Sequence, residues 1–224
     1  MNYYAIIVAG GTGNRMNNSI PKQFLLLDGH PIIMHAIEVF HNCKYKPNII
    51  VVLAQEMHGF WRELCAKYNF QIPYILADSG RQRFHSVQSG LKLIDGDGIV
   101  AIHDAARPLV SSIVVENAYR VASEKGNCVV GLSPVDSVRS INEDGSSSAV
   151  NRDSLMLIQT PQTFVASELM EAYKMDYQVG FTDDASVMES FGTRINIIEG
   201  NRENIKITFP EDIAIANLFI KKRS

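Results

Sequence analysis

The chain has 224 residues, of which 46% are hydrophobic and 20% are charged, and its formal net charge is −3. This composition is ordinary for a globular protein and excludes fibrous and largely disordered architectures. A weakly acidic balance also argues against broad binding to nucleic acid or to a membrane surface. The three cysteines, Cys43, Cys65 and Cys128, are odd in number and far apart, so the sequence indicates neither a disulfide framework nor a zinc site.

The first apolar run, Tyr3–Val8, has no basic leader before it and stops at a glycine pair. That pattern is typical of a first strand rather than of a signal peptide. No run approaches the roughly 18 apolar residues that a membrane span needs. We therefore expect a soluble, cytoplasmic protein from a reducing compartment that binds neither membrane nor nucleic acid.

Short apolar runs then alternate with amphipathic segments through the first half of the chain. The runs predicted to be buried strands are Tyr3–Val8, Ile49–Leu53, Tyr74–Ala77 and Ile99–Ile102. The segments with apolar residues at helical spacing are Pro31–Phe40, Met57–Tyr68 and Arg81–Ile94. This alternation predicts an α/β fold with a mostly parallel sheet and helices on both faces. Ligands of such sheets bind beyond the carboxyl ends of the strands, so we expect the chemistry there.

The pattern changes after Val130. Residues 132–158 show little helical periodicity and contain the turn sequence Asn142-Glu143-Asp144-Gly145, followed by three serines. We interpret this segment as a β-hairpin that leaves the main sheet. It is too short and too polar to have a core of its own. We therefore predict a protruding β-arm on a single domain that spans residues 1–224.

The remaining chain is predicted to return to the sheet through two helices and two strands, Ser167–Met175, Asp183–Ser190, Arg194–Ile198 and Ile205–Ile207. The last helix has a start signal of its own. Thr208 and Glu211 fit a T-x-x-E capping box, with Pro210 in the first turn.

A glycine-rich loop follows the first strand, in the sequence AGGTGNRMNNSIPKQF. Gly10, Gly11 and Gly13 would let backbone amides approach a ligand closely, as a phosphate-binding loop requires. The loop is not a Walker A motif, because no GK[ST] follows. Met16 stands where the dinucleotide fingerprint has its third glycine, which disfavours an NAD-dependent dehydrogenase.

The same loop is positively charged. Arg15 and Lys22 are the only charged side chains between Met1 and Asp28, so no local carboxylate neutralises them. Two cations at a strand end suit a polyphosphate, to which Arg offers a fork and Lys a point charge. The alternative is an ordinary strand-to-helix turn with two solvated basic residues.

A second candidate site is HDAARP, directly after the strand Ile99–Ile102. Asp104 would lie at the carboxyl edge of the sheet, where a hard oxygen ligand facing phosphates suits Mg²⁺. The alternative for Asp104 is a turn residue whose carboxylate caps nearby amides. His103 is more typical of a packed, hydrogen-bonded residue than of a catalyst.

Two further segments are candidates on weaker signals. In Asn204–Thr208, alternation separates Lys206 from its apolar neighbours, so Lys206 either serves the site or is an exposed edge residue. The segment Gly80–Ser86 is a glycine-led helix start after a strand, and its free amides could bind a base edge or a phosphate. The alternative is a helix N-terminus with solvated arginines.

These segments occur together and in order. The motifs AGGTGNRM with PKQF, GRQRFHSV, HDAARPL, QTPQTF, TDDAS and NIKIT before PED run from Ala9 to Asp212. In them the chain resembles the 2-C-methyl-D-erythritol 4-phosphate cytidylyltransferase family. The resemblance implies a Rossmann-like nucleotidyltransferase fold and transfer of a cytidylyl group from CTP to a phosphosugar alcohol, in non-mevalonate isoprenoid synthesis. It also implies a requirement for Mg²⁺ and a homodimer built through the β-arm.

The resemblance implies roles for individual residues. The expected catalytic contacts with the CTP phosphates are Arg15, Lys22 and Lys206. The expected nucleotide-binding residues are Ala9, Gly10, Gly11, Gly13, Gly80 and Ser86. The expected contacts with the phosphosugar alcohol are Asp104, Arg107, Ser137, Arg152 and Thr160, and Asp104 would also bind the metal.

The arm departs from the family pattern, which usually has Asp-Thr and then Lys. Here it reads Asp136-Ser137-Val138-Arg139, in which serine keeps the hydroxyl and arginine the charge. A sister family, ribitol-5-phosphate cytidylyltransferase, shares the first loop and the TPQ segment. The sister more often has HDAVRP and SDACK, where this chain has Ala106 and TDDAS, so ribitol phosphate is the less favoured alternative. A catalytically silent nucleotide-binding regulator and a plain scaffold also remain alternatives, but a scaffold would leave Arg15 and Lys22 unexplained.

Overall fold

The computed structural model describes residues 1–11 and 20–223. Its strands, in chain order, are β1 (Asn2–Val8), β2 (Leu26–Leu27), β3 (His30–Pro31), β4 (Asn48–Leu53), β5 (Ile75–Asp78), β6 (Gly98–Asp104), β7 (Asn127–Leu132), β8 (Val138–Ile141), β9 (Ser147–Val150), β10 (Leu157–Val165) and β11 (Ile197–Glu199). Its helices are α1 (Ile32–Asn42), α2 (His58–Lys67), α3 (Arg83–Leu91), α4 (Ser112–Lys125), α5 (Ala166–Ala172), α6 (Asp184–Ser190) and α7 (Pro210–Arg223).

The main sheet has the strand order β11-β7-β10-β6-β1-β4-β5. β10 runs antiparallel to both of its neighbours, and the other pairings in the sheet are parallel. At its centre Ile6 of β1 pairs with Ile50 of β4 and with Ile102 of β6. This arrangement confirms the predicted mostly parallel α/β fold.

Hydrophobic clusters cover both faces of the sheet. Because side chains alternate along a strand, Ile7 and Val51 pack with Phe40 of α1 on one face. Ile6 and Val52, one residue away from each, pack with Phe84 of α3 on the other face. Full burial of each such side chain contributes about 1.5–3 kcal/mol. The continuous apolar runs of β1 and β4 therefore follow from their position between two layers of helices.

The elements that were not predicted are α4, β7, β10 and the two-residue strands β2 and β3. α4 has a side-chain cap, since Ser111 Oγ accepts from the Val114 N–H at 3.2 Å, and it ends at Gly126, whose φ is 87°. Both residues are helix-end signals in the sequence. β10 contains the polar stretch QTPQT with Pro161 inside it, which argues against a central strand when only the sequence is considered.

The predicted strand Ile205–Ile207 is wrong, because this segment pairs with no strand of the described chain. Its backbone bonds run instead from the Ile207 N–H to the Ala106 carbonyl at 2.8 Å and from the Ile205 N–H to the Glu203 carbonyl at 2.7 Å. The capping box from Thr208 to Glu211 is also wrong. Pro210 is the first residue of α7, as predicted, but the Asp212 carboxylate accepts from the backbone N–H of Thr208 at 2.7 Å and of Phe209 at 2.8 Å.

The predicted arm contains a separate two-stranded sheet, in which β8 and β9 pair antiparallel around the turn Asn142-Glu143-Asp144-Gly145. Gly145 has a φ of 81°, which a glycine adopts without strain. The hairpin is mostly exposed and makes its strand pairs within itself. Among the described helices, none is both long and apolar enough to cross a bilayer.

Candidate active site

A cavity of about 460 Å³ opens at the carboxyl ends of β1 and β6. The described wall contains small residues, at which the backbone is accessible, and charged side chains. The small residues include Ala9, Gly10, Gly11, Gly80 and Ser86. The charged residues are Lys22, Arg81, Arg83, Asp104 and Lys206. The cavity lies at the sheet edge where we expected the chemistry. It brings together most of the candidate segments, although they come from distant parts of the chain.

Ala9 and Gly10 are held against the sheet. The Ala9 N–H donates to the Val52 carbonyl at 2.9 Å, and the Ala9 carbonyl accepts from the buried Gln23 side chain at 2.7 Å. A Cβ at Gly10 would lie 2.4 Å from the Cβ of Ser79. Gly13 and Arg15 lie outside the described residues. Lys22 is directly before Gln23 and lines the cavity.

The segment Gly80–Ser86 forms the facing part of the wall. The Gly80 N–H donates to Ser86 Oγ at 3.0 Å, and the Ser86 hydroxyl donates to the Gln82 carbonyl at 3.2 Å. A Cβ at Gly80 would lie 2.3 Å from the Cβ of His85 and 2.9 Å from its carbonyl carbon. Glycine is therefore required here by close packing of the backbone.

We expect Gly80→Ala to lower the free energy of unfolding by about 1–3 kcal/mol, because the added methyl group would overlap His85. Urea denaturation measures the change. The matched control is Gly59→Ala in α2, where an added Cβ would meet nothing within 4 Å. That variant should be more stable by about 0.5–1 kcal/mol, because alanine loses less backbone entropy in a helix. Equal effects of the two substitutions would contradict the steric argument.

Asp104 ends β6 and is surrounded by cations. Its Oδ2 lies 2.8 Å from Lys206 Nζ and 3.7 Å from Arg107 Nε, and its Oδ1 lies 3.5 Å from Arg83 Nε. Burial alone would raise the pKa of Asp104, but the positive charges of Arg83, Lys206 and Arg107 outweigh it and hold the pKa well below its ordinary value. The carboxylate therefore stays ionised at neutral pH.

Arg83 is supported from behind by residues for which no role was predicted. Its Nη2 donates to Oδ2 of the fully buried Asp184 at 2.6 Å, and the Tyr173 hydroxyl donates to Asp184 Oδ1 at 2.5 Å. Burial would lower the pKa of Arg83, but Asp184 and Asp104 raise it above its ordinary value. The motifs GRQRFHSV and TDDAS contain both charged residues, but the sequence does not show that they meet.

Thr160 and Arg107 lie beside the cavity and not on its described wall. The buried Thr160 Oγ1 accepts from the Asp104 N–H at 3.1 Å and lies 3.0 Å from His103 Nδ1. Arg107 Nη1 donates to the Asn204 carbonyl at 2.8 Å. The Thr160 contacts join the middle of β10 to the end of β6, and the Arg107 contact joins the segment after β6 to Asn204. Direct contact of either side chain with a substrate stays a prediction.

His103 is packed in the interior and not in the cavity. Its Nε2 lies 2.9 Å from the Arg107 carbonyl, which can only accept, so Nε2 carries the proton. Nδ1 then accepts from the Thr160 hydroxyl. Burial lowers the pKa of His103 to about 4. The residue is therefore a neutral, hydrogen-bonded histidine, as its position predicted.

This burial should make stability pH-dependent. Between about pH 6.5 and 4 the unfolded chain binds a proton at His103 that the folded chain does not, so the free energy of unfolding should fall by about 3 kcal/mol as the pH falls through this window. Urea denaturation of wild type and His103→Gln across the window isolates the contribution. The curves should converge towards acid pH, because the variant lacks the group whose pKa differs between the folded and unfolded chain. A constant difference between wild type and His103→Gln would contradict the argument.

Ser137 and Arg152 do not line the described cavity wall. Both are exposed on the arm, where Arg152 Nη1 donates to the Val135 carbonyl at 2.5 Å. Within one chain, the structure therefore does not place Ser137 and Arg152, two predicted substrate contacts, beside the candidate residues that line the cavity.

In the described part of the chain, no three His, Cys, Asp or Glu side chains form a group that could hold a metal ion. Asp104 is the one carboxylate among the described residues of the cavity wall. Mg²⁺ in phosphoryl-transfer sites is often bound by one or two carboxylates together with phosphate oxygens. Asp104 therefore fits a metal that a bound triphosphate helps to hold.

The chain is similar to known proteins over nearly its whole length. Residues 3–222 match the family described as 2-C-methyl-D-erythritol 4-phosphate cytidylyltransferase. The relative of that name from Bacteroides fragilis is 45% identical over 216 residues, which cover 96% of this chain and 98% of the relative. The relative of that name from Phocaeicola vulgatus is 43% identical over 220 residues, which cover 98% and 100%.

Solved structures agree with this match. The 4-diphosphocytidyl-2C-methyl-D-erythritol synthase from Anaerococcus prevotii superposes with a TM-score of 0.84 at 25% identity, covering 98% of this chain and 96% of that one. The 2-C-methyl-D-erythritol 4-phosphate cytidylyltransferase from Francisella tularensis superposes with a TM-score of 0.81 at 28% identity, covering 97% of this chain and 99% of that one.

A mostly parallel sheet with a glycine-lined, cationic cavity at its carboxyl edge defines an α/β nucleotidyltransferase. Within that class, the chain belongs to the 2-C-methyl-D-erythritol 4-phosphate cytidylyltransferase family. These relatives favour methylerythritol phosphate over the ribitol alternative.

Proposed function

We propose that this chain joins CTP to 2-C-methyl-D-erythritol 4-phosphate, forming CDP-methylerythritol and pyrophosphate for isoprenoid synthesis. The observation that carries the proposal is the cavity in which Lys22 and Lys206 face the glycine segments Ala9–Gly11 and Gly80–Ser86. The backbone N–H groups of the glycine segments can come close to a bound nucleotide, and the ammonium groups of the lysines can pair with its phosphates. The family match over residues 3–222 supports the choice of nucleotide and acceptor.

The chemistry explains why the cavity needs no general base. The nucleophile is a phosphate monoester, whose second pKa is about 6, so it is already anionic at neutral pH. One of its oxygens attacks the α-phosphorus of CTP, the bond to the bridging oxygen breaks, and pyrophosphate leaves with the electron pair. The protein must reduce repulsion between the two polyanions and stabilise charge on the α-phosphate and the leaving group. We assign that role to Lys22, Lys206 and the predicted Arg15.

We further propose that the divalent ion is Mg²⁺, with Asp104 as its protein ligand. When bound, the ion would neutralise phosphate charge and orient the triphosphate. Lys206 Nζ lies 2.8 Å from Asp104 Oδ2, so binding of the triphosphate would give Lys206 a second anionic partner. The selection of cytosine we assign to backbone groups near Ala9, Gly80 and Ser86.

The test is incubation of the purified chain with CTP, Mg²⁺ and candidate phosphosugar alcohols, scored by pyrophosphate release. Methylerythritol phosphate should support turnover far better than ribitol 5-phosphate. Omitting the acceptor controls for hydrolysis of CTP. Release that is equal with and without an acceptor would contradict transfer, and a preference for ribitol phosphate would restore the alternative.

We also propose that the chain acts in the cytoplasm as a homodimer built through the arm (residues 132–158). The three cysteines are all free, which suits a reducing compartment. Val135, Ile141 and Leu157 are exposed apolar side chains on an arm that has little core of its own. Pairing with a symmetric copy would cover them and would bring Ser137 and Arg152 to the partner's cavity.

Subunit mixing tests the composite site. Arg152→Ala and Lys22→Ala homodimers should each be nearly inactive, because one lacks a phosphate contact and the other a cavity cation. If each active site takes Arg152 from one chain and Lys22 from the other, the mixed dimer contains one intact site of its two. In an equal mixture about half of the dimers are mixed, so pyrophosphate release after subunit exchange should recover towards about a quarter of the wild-type rate. No recovery, although exchange is demonstrated, would mean that Arg152 acts within its own chain.

A further inference from the structure

A buried carboxylate behind the cavity has no part in the chemistry proposed above. Asp184 is fully buried in the first turn of α6, and both of its oxygens are engaged, one by the Tyr173 hydroxyl at 2.5 Å and one by Arg83 Nη2 at 2.6 Å. An ionised carboxylate is costly to bury unless it is paired and hydrogen-bonded. Asp184 is therefore a fixed anchor, and Arg83 is the cation that it holds.

The same guanidinium reaches forward to the cavity. Arg83 Nε lies 3.5 Å from Oδ1 of Asp104, and the Arg83 side chain, 28% exposed, is part of the cavity wall. Arg83 also begins α3, inside the segment Gly80–Ser86. The planar guanidinium of Arg83, which belongs to the segment Gly80–Ser86, therefore connects the buried carboxylate of Asp184 to the carboxylate of Asp104 at the end of β6. A lysine has one ammonium group and could not span both carboxylates in this way.

We propose that Arg83, held by Asp184 and Tyr173, is a positioning residue that fixes the carboxylate of Asp104 relative to the segment Gly80–Ser86. The inference rests on the proposed function. Arg83 contacts Oδ1 of Asp104, and Oδ2 of the same carboxylate contacts Lys206. A misplacement of about 1 Å between reacting groups can reduce the rate about 10²-fold, so a fixed distance between these two parts of the wall matters for turnover.

The test separates positioning from stability. Arg83→Met should reduce kcat about 10²-fold, with far smaller changes in the two KM values, because geometry and not binding is lost. It should also lower the melting temperature, since Asp184 is left buried without its cation. Adding Asp184→Asn to Arg83→Met removes the unpaired charge. The double variant should regain most of the lost melting temperature and should keep the low kcat.

Two milder variants cover the case in which the double variant does not fold. Arg83→Lys keeps the charge and loses the fork, so it should fold and lose about tenfold in kcat, the range of a supporting partner's loss. Tyr173→Phe removes one hydrogen bond to Asp184 and should reduce kcat less than Arg83→Lys does. The matched control is Arg120→Met, which breaks an exposed ion pair with Glu124 at 2.7 Å on α4 and should leave kcat unchanged.

Recovery of kcat together with the melting temperature in the double variant would overturn the proposal, because Arg83 would then be only structural. Full kcat in Arg83→Lys would overturn it as well. If the wild-type chain releases no pyrophosphate, the proposed function fails and this inference fails with it. Wild-type turnover with recovery in the double variant would overturn the positioning role alone.

Discussion

Asp104→Asn is expected to reduce kcat by about 10²–10³-fold, the effect typical of losing one positioned electrostatic contact at a reacting centre. The amide keeps the shape of the side chain but removes the negative charge that faces Lys206, Arg83 and Arg107. The three cations would then repel one another without a counter-charge. A hard anionic ligand for the proposed Mg²⁺ would also be lost.

Steady-state pyrophosphate release at varied Mg²⁺ concentration measures this effect. The Mg²⁺ concentration for half-maximal activity should rise, while binding of CTP without metal should change much less. Asp97→Asn, at an exposed position before β6, is the matched control and should keep the wild-type activation curve. An unchanged curve in Asp104→Asn would make Asp104 a structural turn residue.

Lys22→Ala is expected to reduce kcat by about 10²–10³-fold at saturating CTP, while the chain stays folded. Lys22 begins a short 3₁₀ turn whose next two residues, Gln23 and Phe24, are buried. Gln23 bonds the Ala9 carbonyl, and the Phe24 ring packs edge-on against Phe60. These neighbours keep the backbone in place, so the substitution should remove the charge from the cavity wall while the chain stays folded.

Activity at saturating CTP and the melting temperature should be measured on the same samples. Lys92→Ala is the matched control. It removes a lysine at an exposed position after α3 that does not line the described cavity wall, so it should keep wild-type turnover. Near-wild-type turnover of Lys22→Ala would contradict its role. Arg15→Ala should behave as Lys22→Ala does, on the strength of the sequence resemblance.

Much of the fold could be predicted because the signals are local. β1 and β4 are continuous apolar runs that only a sheet covered on both faces can bury, and α1 and α2 carry apolar residues at helical spacing. The arm turn at Asn142–Gly145 was visible for the same reason, since its residues favour a tight turn wherever they occur.

The location of the site also followed from local signals. Strand ends in a parallel sheet meet at one edge, so the glycine loop, Asp104 and the segment Gly80–Ser86 could be expected to face one another once the strands were predicted. The cavity brings these segments together. The individual roles of these residues stay predictions, and Gly13 and Arg15 lie outside the described residues.

The sequence by itself therefore determined the α/β architecture, the sheet edge that carries the cavity and the resemblance that led to the family. Only the tertiary structure decided the rest. β10 takes a central, antiparallel place despite Pro161, because its polar side chains bond to groups that other elements bring to it, such as the Ala185 N–H of α6, which donates to Gln162 Oε1 at 2.8 Å. Arg83 meets Asp184, 101 residues away, and an ion pair between distant segments leaves no periodicity or spacing in a sequence. Local patterns report what each segment must bury, whereas the partners of a buried charge depend on which segments the fold brings together.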